Sequence, residues 1–407
     1  MKKFLTILWV IIILGSVFIA INIFKPDVFD LKNKILKNNS DVQEKTAQEQ
    51  EQQPQTYEEY IKQGETYLKE NLPIKAYGSF DKALKLEPNS LKAQLGIVQS
   101  YLNDRQFEEA RDYLILLDQT KTEVKYYNSI ILILFKDFNG AKTIFTALEP
   151  GKENKTISEY SKKFLEKYKI FESYKEGEQI FLQTLLSKAL TEVNQSAAAI
   201  PLLYDVISQN INYRDAWIIL GYAYLKTGKT EDAIDAFSKV QTKFPDNTEN
   251  LFFLGLAYFA NNDFDRAAYY MEEADKKGYE PKDMLNMKLG DIYLQQKKYE
   301  DAVGKYEEVL AVNTTNIDVF TRAIWIYIEK LNNPGNALKL AQKAATAFPN
   351  KAMSYNLLGW AYMENNDFKK AKENLGKALE LDPTLKEAQT NLEVLQKKEE
   401  SLNTQTL

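Results

Sequence analysis

The side chains that most often perform enzymatic chemistry are absent from this sequence. Its 407 residues include no cysteine and no histidine. This excludes thiolate nucleophiles, disulfides, Cys/His metal sites and any Ser-His-Asp or Cys-His arrangement. Carboxylates, lysines and tyrosines remain as possible catalytic groups. However, no pair among the 57 acidic residues is distinguished from the acidic residues found on the solvated faces of any helical protein. The sequence therefore predicts a protein that is not an enzyme and that holds no metal and no cofactor.

Charge and length narrow the class of protein further. The chain has 52 basic and 57 acidic residues, a formal net charge of -5, and no strongly basic stripe. A nucleic-acid partner is not expected, because the electrostatic footprint of such a binder is missing. A chain of 407 residues is longer than one compact core usually holds, so several domains or one extended array are expected.

Small and aromatic residues recur at a fixed interval. Four residues of one stretch each have a counterpart 34 positions later: Gly221, Tyr224, Ala233 and Phe237 are followed by Gly255, Tyr258, Ala267 and Met271. A period of this length is typical of a solenoid of paired helices, which is a shaped surface and favours binding over catalysis. The glycines fall one per repeat at packing positions, so no glycine-rich phosphate loop is predicted.

Each repeat reads as two helices joined by a turn. Residues 215–225 carry apolar side chains three and four apart, which predicts an amphipathic helix. Gly228 supplies the backbone freedom that ends it, and residues 230–243 form the second helix. Small residues at Gly221 and Ala233 allow the two helices to approach closely.

These positions resemble the tetratricopeptide repeat, whose unit has Trp-x2-Leu-Gly-x2-Tyr, then Ala-x3-Phe, an Ala and a Pro. The resemblance is strongest at Trp217, Leu220, Gly221, Tyr224, Ala233, Phe237 and Pro245. Nine units, some of them weaker copies, cover most of residues 57–385. The resemblance implies an all-α fold, a right-handed superhelical solenoid of helix-turn-helix repeats.

The phase of the repeats slips once. Ala141 and Ala199 are 58 residues apart, which is one period of 34 plus 24. The additional residues include a Lys-rich helix, about residues 156–175, with four aromatic side chains on one face: Tyr160, Phe164, Tyr168 and Phe171. Two interpretations are open. The face packs against the array in the ordinary way, or it forms an elbow between two sub-arrays and is available to a partner.

The organisation that follows has six segments. Residues 1–25 are a predicted transmembrane anchor and residues 26–56 a Gln/Glu-rich disordered tether. Repeat sub-arrays occupy residues 57–150 and 180–385, joined by a linking helix in residues 151–179. Residues 386–407 form a charged capping helix and tail, which suits the last apolar face of an array.

The anchor is predicted from residues 4–24, which are 21 consecutive residues without a charge. As a helix they would extend roughly 31 Å, about the thickness of a bilayer's hydrocarbon core. A signal peptide is less well matched because the apolar region is long and no small-x-small cleavage site follows it. We therefore expect a single-pass membrane protein with the repeats on the extracytoplasmic side.

The resemblance also implies where a ligand would bind. In such arrays certain positions of the first helix of each unit face the concave side, and here those positions are occupied by Ile218, Tyr222, Leu225, Phe252, Leu256, Phe259, Met284, Met287, Trp325, Met353, Asn356, Trp360 and Met363. Relatives that clamp a carboxylate terminus need Lys, Asn and Arg at such places. Ile218, Phe252 and Met287 cannot replace them, so that function is not expected here.

Two interpretations of these residues remain open. Methionine beside aromatic rings suits a groove for an amphipathic helix or an extended apolar peptide. Alternatively, a tightly wound superhelix buries the same side chains between neighbouring first helices. The first interpretation predicts a non-catalytic, membrane-anchored scaffold that binds protein or peptide partners. A self-assembling structural membrane protein, and hence a homo-oligomer, is the alternative.

Overall fold

The structure is a computed structural model that describes residues 56–149, 151, 153–174 and 178–405. The chain divides into two compact units, Met1–Glu59 and Tyr60–Leu407, and the second unit carries the repeats. Among the described residues, no helix is both long enough and apolar enough to cross a bilayer. This finding corrects the predicted localisation, and a single-pass membrane protein is not supported. Residues 4–24, from which the anchor was predicted, and residues 26–55 of the predicted tether lie outside the described residues.

The described part of the chain is all helical, with no strand. Its twenty α-helices, in chain order, are α1 Tyr57–Lys69, α2 Pro73–Leu86, α3 Leu91–Asn103, α4 Phe107–Ile115, α5 Thr122–Leu134, α6 Phe138–Leu148, α7 Lys155–Ser173, α8 Gln179–Glu192, α9 Ser196–Gln209, α10 Arg214–Lys226, α11 Thr230–Lys243, α12 Thr248–Ala260, α13 Phe264–Lys276, α14 Lys282–Gln295, α15 Tyr299–Val312, α16 Ile317–Trp325, α17 Pro334–Ala347, α18 Ala352–Glu364, α19 Phe368–Leu381 and α20 Lys386–Gln405. A π-helical turn, Ile326–Lys330, continues α16.

Eighteen of these helices form nine consecutive pairs, from α1 with α2 to α18 with α19, while α7 and α20 are unpaired. Neighbouring pairs contact one another in sequence order, with α7 between the third pair and the fourth, which confirms the predicted helical solenoid. The second helix predicted at residues 230–243 is α11, with the same bounds. The handedness of the superhelix stays a prediction.

In five pairs a glycine of the first helix contacts a large side chain of the second helix, located 16 residues later in the sequence. Gly221 and Phe237 show why: a Cβ on Gly221 would lie 2.6 Å from the Phe237 ring, closer than real Cβ atoms come to their neighbours. Phe237 is fully buried. The same contact joins Gly64 to Phe80, Gly255 to Met271, Gly290 to Tyr306 and Gly359 to Leu375. The close approach of the two helices that the sequence predicted is therefore confirmed.

The turn inside each pair places one residue in the left-handed backbone region. Gly228 has φ of 71° in the turn after α10, and the N–H of Lys229 donates to the Tyr224 carbonyl over 2.9 Å. This is a common way to end a helix and satisfies carbonyls that would otherwise lack partners. In other turns the same position is occupied by an asparagine, such as Asn262, or by a residue with a longer side chain, such as Lys136 with φ of 65°.

In some pairs a tyrosine at the end of the first helix contacts the pair before it. In four pairs its hydroxyl meets a side chain found 20 or 21 residues earlier, on the preceding second helix. The contacts are Tyr224 with Tyr204 at 2.5 Å, Tyr293 with Glu272 at 3.0 Å, Tyr327 with Glu307 at 2.9 Å and Tyr362 with Gln342 at 3.5 Å. Burial, together with the hydrogen bond to Glu307, raises the pKa of Tyr327 to about 12. In these four pairs the tyrosine of the repeat pattern is thus a polar connection to the preceding pair.

The unpaired helix α7 packs into the array. Its Phe164 is fully buried and stacks on Phe145 of α6, with 4.2 Å between ring centroids. The Tyr168 hydroxyl donates to the Phe138 carbonyl over 2.7 Å, and burial raises its pKa above the ordinary value for tyrosine. Tyr160 and Phe171 are half-buried. Of the two interpretations of this aromatic face, the structure agrees with ordinary packing for Phe164 and Tyr168.

After α7 the array bends back on itself. The beginning of α9 contacts α3, although 96 residues separate Gln99 from Gln195. The two glutamine amides donate to each other, over 3.1 Å and 2.7 Å. The Asn71 amide nitrogen donates to the Lys226 carbonyl over 3.3 Å. We call residues 60–209, which end with helix α9, the closed turn, and helices α10–α20 the regular stack.

Candidate functional site

The first helices of the regular stack contact one another from one pair to the next, an arrangement typical of the inner side of a curved array. α10 contacts α12, α12 contacts α14, and α16 contacts α18, in addition to the contacts between each first helix and its own partner. Helices on the inside of a curved array approach one another more closely than those outside. The residues predicted to line a groove are all on these first helices, and we call the surface that they form the inner wall.

The inner-wall residues differ in exposure. Four are buried: Ile218, Phe252, Asn356 and Met363. Eight are half-buried: Tyr222, Leu225, Leu256, Phe259, Met287, Trp325, Met353 and Trp360. Met284 is 44 % exposed. Four positions are thus buried, while nine retain surface that another molecule could contact.

The buried positions have identifiable neighbours. Phe252 stacks on Tyr279, with ring centroids 4.4 Å apart. At the end of the array, α20 covers α18: the Asn391 amide donates to Asn356 over 2.9 Å, and Met363 packs in one cluster with Leu395. The capping helix therefore covers part of the inner wall of the last pair, and a partner would meet the wall mainly before that point.

Aromatic and sulfur-containing side chains give the open part of the wall its character. Trp325, Met353 and Trp360 all pack at the edge of the core that α15–α18 share, so each has one anchored face and one free face. The Lys330 ammonium lies 4.6 Å from the centre of the Trp325 ring, at cation–π distance. Fixed rings of this kind contact a ligand at little cost in conformational entropy.

An ion pair on the inner wall was missed by the sequence reasoning. Asp291 lies on α14 between Met287 and Leu294, with only 9 % of its surface exposed. It accepts a hydrogen bond from the Tyr306 hydroxyl at 2.8 Å and pairs with the Arg322 guanidinium of α16. Burial and then the charge of Asp291 raise the pKa of Tyr306, so this hydroxyl is a donor at neutral pH.

A signal for this pair was present in the sequence. Tyr306 occupies the position that Phe237 holds in its own unit, and both side chains are fully buried. A buried hydroxyl needs a hydrogen-bond partner, and a carboxylate at a wall position of the same unit was the available one. Arg322 could not have been assigned in this way, because it belongs to the next unit.

No arrangement for metal chemistry is found in the part of the chain that the structure describes. There, no group of three or more Asp or Glu side chains is placed to hold a metal ion. What the inner wall offers is apolar contact area with a few fixed polar groups, which suits recognition of another chain.

Two family models, each described as tetratricopeptide repeat, match the sequence. One matches residues 184–248, 220–281 and 254–316, and the other matches residues 352–385. These residues are therefore tetratricopeptide repeats, as the sequence pattern predicted. Proteins with this repeat generally act as scaffolds for protein or peptide interactions. No curated protein sequence matches the chain.

Solved structures of other repeat proteins are similar in part. YrrB, described as a TPR protein with an unusual peptide-binding site, is 18 % identical, with 47 % of this chain and 97 % of YrrB covered at a TM-score of 0.42. The Cut9–Hcn1 hetero-tetramer of the APC/C is 15 % identical, with 82 % and 74 % covered at 0.43. A tetratricopeptide repeat protein from Parabacteroides merdae is 13 % identical, with 68 % and 98 % covered at 0.37.

Proposed function

We propose that this tetratricopeptide-repeat protein is a non-catalytic scaffold that binds a protein or peptide partner through the inner wall of its regular stack. One observation carries the proposal: nine of the thirteen predicted wall residues keep exposed surface within the assembled array. If these residues belonged only to the hydrophobic core, neighbouring helices would bury all thirteen of them.

The side chains of the wall indicate the chemistry of the partner. Met284 and Met287 are flexible and polarizable, so they adapt to apolar surfaces of different shape. Trp325 and Trp360 supply large rings that are already held in place by the core. Such a surface fits the apolar face of an amphipathic helix or an extended apolar peptide. The pair of Asp291 and Arg322 provides a polar reference point that would fix the orientation of the bound segment.

Site-specific photo-crosslinking in the native cell tests where the partner binds. A photoreactive amino acid is placed at Met284 on the wall, and in a matched control at Tyr269, which is 58 % exposed on the second helix α13. We expect a defined crosslinked species from position 284 that is absent from position 269. Equal crosslinking from both positions would argue against the inner wall.

The double variant Phe259→Ala with Trp360→Ala tests the contribution of the rings. Partner capture should weaken by more than about 2 kcal/mol if these side chains are hot spots. The thermal midpoint must be measured alongside, because both rings are half-buried and contribute to packing. Unchanged capture by a stably folded variant would remove the wall from consideration.

Light scattering on the full chain separates this function from self-assembly. A scaffold whose partner is absent from the sample should be monomeric across a range of protein concentrations. A mass that rises with concentration and falls again in the double variant would instead assign the wall to contacts between copies of the chain.

A further inference from the structure

The tyrosine of the repeat pattern carries a cation over its ring in much of the array. In five units a Lys or Arg lies with its charge 4.3–6.0 Å from the ring centre, five or eight positions after the tyrosine in the sequence. The pairs are Lys75 with Tyr67, Lys229 with Tyr224, Arg266 with Tyr258, Lys298 with Tyr293 and Lys370 with Tyr362. At such distances the negative face of the ring attracts the cation.

Tyr101, the pattern tyrosine of helix α3, has no such residue at either spacing. Five and eight positions after it the sequence has Gln106 and Glu109, neither of which carries a positive charge. The Tyr101 ring instead contacts two other aromatic rings, Tyr77 of α2 at a centroid distance of 5.5 Å and Tyr113 of α4 at 6.4 Å. This unit therefore has the ring of the pattern without the cation that accompanies it elsewhere.

A cavity of about 250 Å³ lies beside the Tyr101 ring. Pro73, Ile74 and Tyr77 of α2 line it on one side, and Tyr101 lines it on the other. The two tyrosine rings are inclined to each other by 51°. Ile74 and Tyr77 are exposed, so the cavity can be reached from solvent. No Lys or Arg is among its described lining residues.

Asp104 adds a carboxylate to the same cavity. It is half-buried at the carboxyl end of α3, where the helix dipole disfavours a negative charge. The Gln106 amide donates to it over 2.5 Å, and Asp104 forms no ion pair with a described residue. Of its charged neighbours, Arg105 attracts the carboxylate and Glu109 repels it. Burial raises the pKa of Asp104 above its usual value, the direction expected for a carboxylate without a close cation.

We propose that this cavity binds a quaternary ammonium group. The cation lies against the Tyr77 and Tyr101 rings, Asp104 supplies the opposite charge, and the methyl groups on nitrogen contact Pro73 and Ile74. A primary ammonium fits less well, because its three N–H donors need acceptors and most of the lining is apolar. The site contains no inner-wall residue and does not depend on the proposed scaffold function.

Saturation-transfer NMR titration of the full chain with choline tests the proposal. The matched neutral probe is 3,3-dimethylbutan-1-ol, which has carbon in place of the choline nitrogen and nearly the same shape. We expect choline to bind at least about tenfold more tightly than the alcohol, because only the cation gains from the rings and the carboxylate. Absence of choline binding, or equal binding of the alcohol, would overturn the assignment.

Substitutions at the cavity locate the site. Tyr77→Leu removes an exposed ring and Asp104→Asn removes the charge at nearly constant shape, so each should weaken choline binding at least about fivefold. Asp112→Asn is the control, because Asp112 is an exposed carboxylate of α4 that pairs with Arg111 at 3.0 Å and does not line the cavity. Choline binding should not change in this variant. If Tyr77→Leu and Asp104→Asn bind choline as tightly as the unaltered chain, the location is wrong.

Glu109→Lys tests the comparison with the other units. It adds a lysine eight positions after Tyr101, the spacing at which Lys75 and Arg266 lie over their tyrosines. The new ammonium should occupy the ring and weaken choline binding at least about tenfold. Glu108→Lys makes the same charge change one residue earlier and should have a clearly smaller effect. Equal weakening by both variants would show general repulsion rather than occupation of the ring, and would contradict the proposal.

A final comparison identifies the source of the ammonium group, which is either a free compound or a methylated lysine of another protein. The probe for the second source is the N-acetyl, N-methylamide derivative of trimethyllysine. Tighter binding of choline than of this derivative supports a free compound as the ligand, and the reverse order supports a methylated lysine. Failure of both probes to bind would overturn the site.

Discussion

The closed turn and the regular stack are built from the same kind of helix pair, yet their inner surfaces differ in shape and in chemical character. In the stack, successive first helices form a wall of apolar and aromatic side chains with open surface. In the closed turn, α7 stands unpaired between two pairs, and the second helix α9 comes to face α3. The inner surface there is a partly open pocket whose lining includes amides, tyrosines and lysines.

The comparison shows which contacts are common to both regions. The glycine contact at an offset of 16 residues occurs in the closed turn, from Gly64 to Phe80, and four times in the stack. Polar contacts are specific to each region: the Gln99–Gln195 pair closes the turn, and Asp291 with Arg322 joins two pairs of the stack. Packing inside the pair is therefore common to both regions, while the polar contacts between pairs differ.

The largest effect is expected from Gly221→Ala. The new methyl group would meet the buried Phe237 ring, and overpacking of this kind costs about 1–3 kcal/mol or more. Chemical denaturation monitored by circular dichroism measures the loss. Gly376→Ala is the matched control, because no atom lies within 4 Å of the added Cβ in helix α19. There alanine should stabilise by about 0.5–1 kcal/mol. A loss of stability in both variants would mean that helix packing does not distinguish the two glycines.

The next largest effect is expected from Asp291→Ala in the regular stack. The buried Tyr306 hydroxyl would lose its acceptor, and Arg322 would lose its ion pair. We expect a loss of about 2 kcal/mol, since the hydroxyl is fully buried while the Arg322 side chain is 46 % exposed. Equilibrium unfolding measures it. In the double variant Asp291→Ala with Tyr306→Phe, the penalty should be smaller than for Asp291→Ala alone. An equal or larger loss would contradict the role of the hydroxyl.

How much of the fold could be predicted from the sequence depends on how far apart along the chain the contacting residues lie. The helix pairs follow from Gly221, Ala233 and Phe237, which are close in sequence and fixed by helix geometry. The additional helix α7 was visible as a break in the period. The closed turn was not, because the contact of Gln99 with Gln195 depends on how several pairs rotate around α7. In the sequence these glutamines look like ordinary surface residues.

In the candidate site, too, some features could be predicted from the sequence and others could not. First-helix positions on the wall were predicted one residue at a time from the repeat pattern. Burial of Asn356 and Met363 was not, because the covering side chains belong to α20, outside the repeats.

Opening the closed turn should have a smaller effect on stability than either change in the stack. Gln99→Ala and Gln195→Ala each remove one half of the reciprocal amide pair. A double-mutant cycle should give a coupling of about 1 kcal/mol, as for neutral hydrogen bonds. Small-angle scattering should show a larger radius of gyration for the double variant. The corresponding change in the stack, Gln342→Ala, removes a longer contact of 3.5 Å to Tyr362 and should leave the radius unchanged.

The smallest effect concerns the turns inside the pairs, which both regions share. Lys136 follows α5 with φ of 65°, a backbone conformation that costs a residue with a side chain about 1 kcal/mol and costs glycine little. Lys136→Gly therefore removes local strain, but it also removes the 2.8 Å ion pair of Lys136 with Asp205, a contact of the closed turn. The net gain should be below that of Lys297→Gly, which has φ of 60° in the stack and should stabilise by about 0.5–1 kcal/mol. Thermal unfolding of the two variants gives the comparison. If Lys136→Gly is the more stabilised of the two, the ion pair to Asp205 does not support the closed turn.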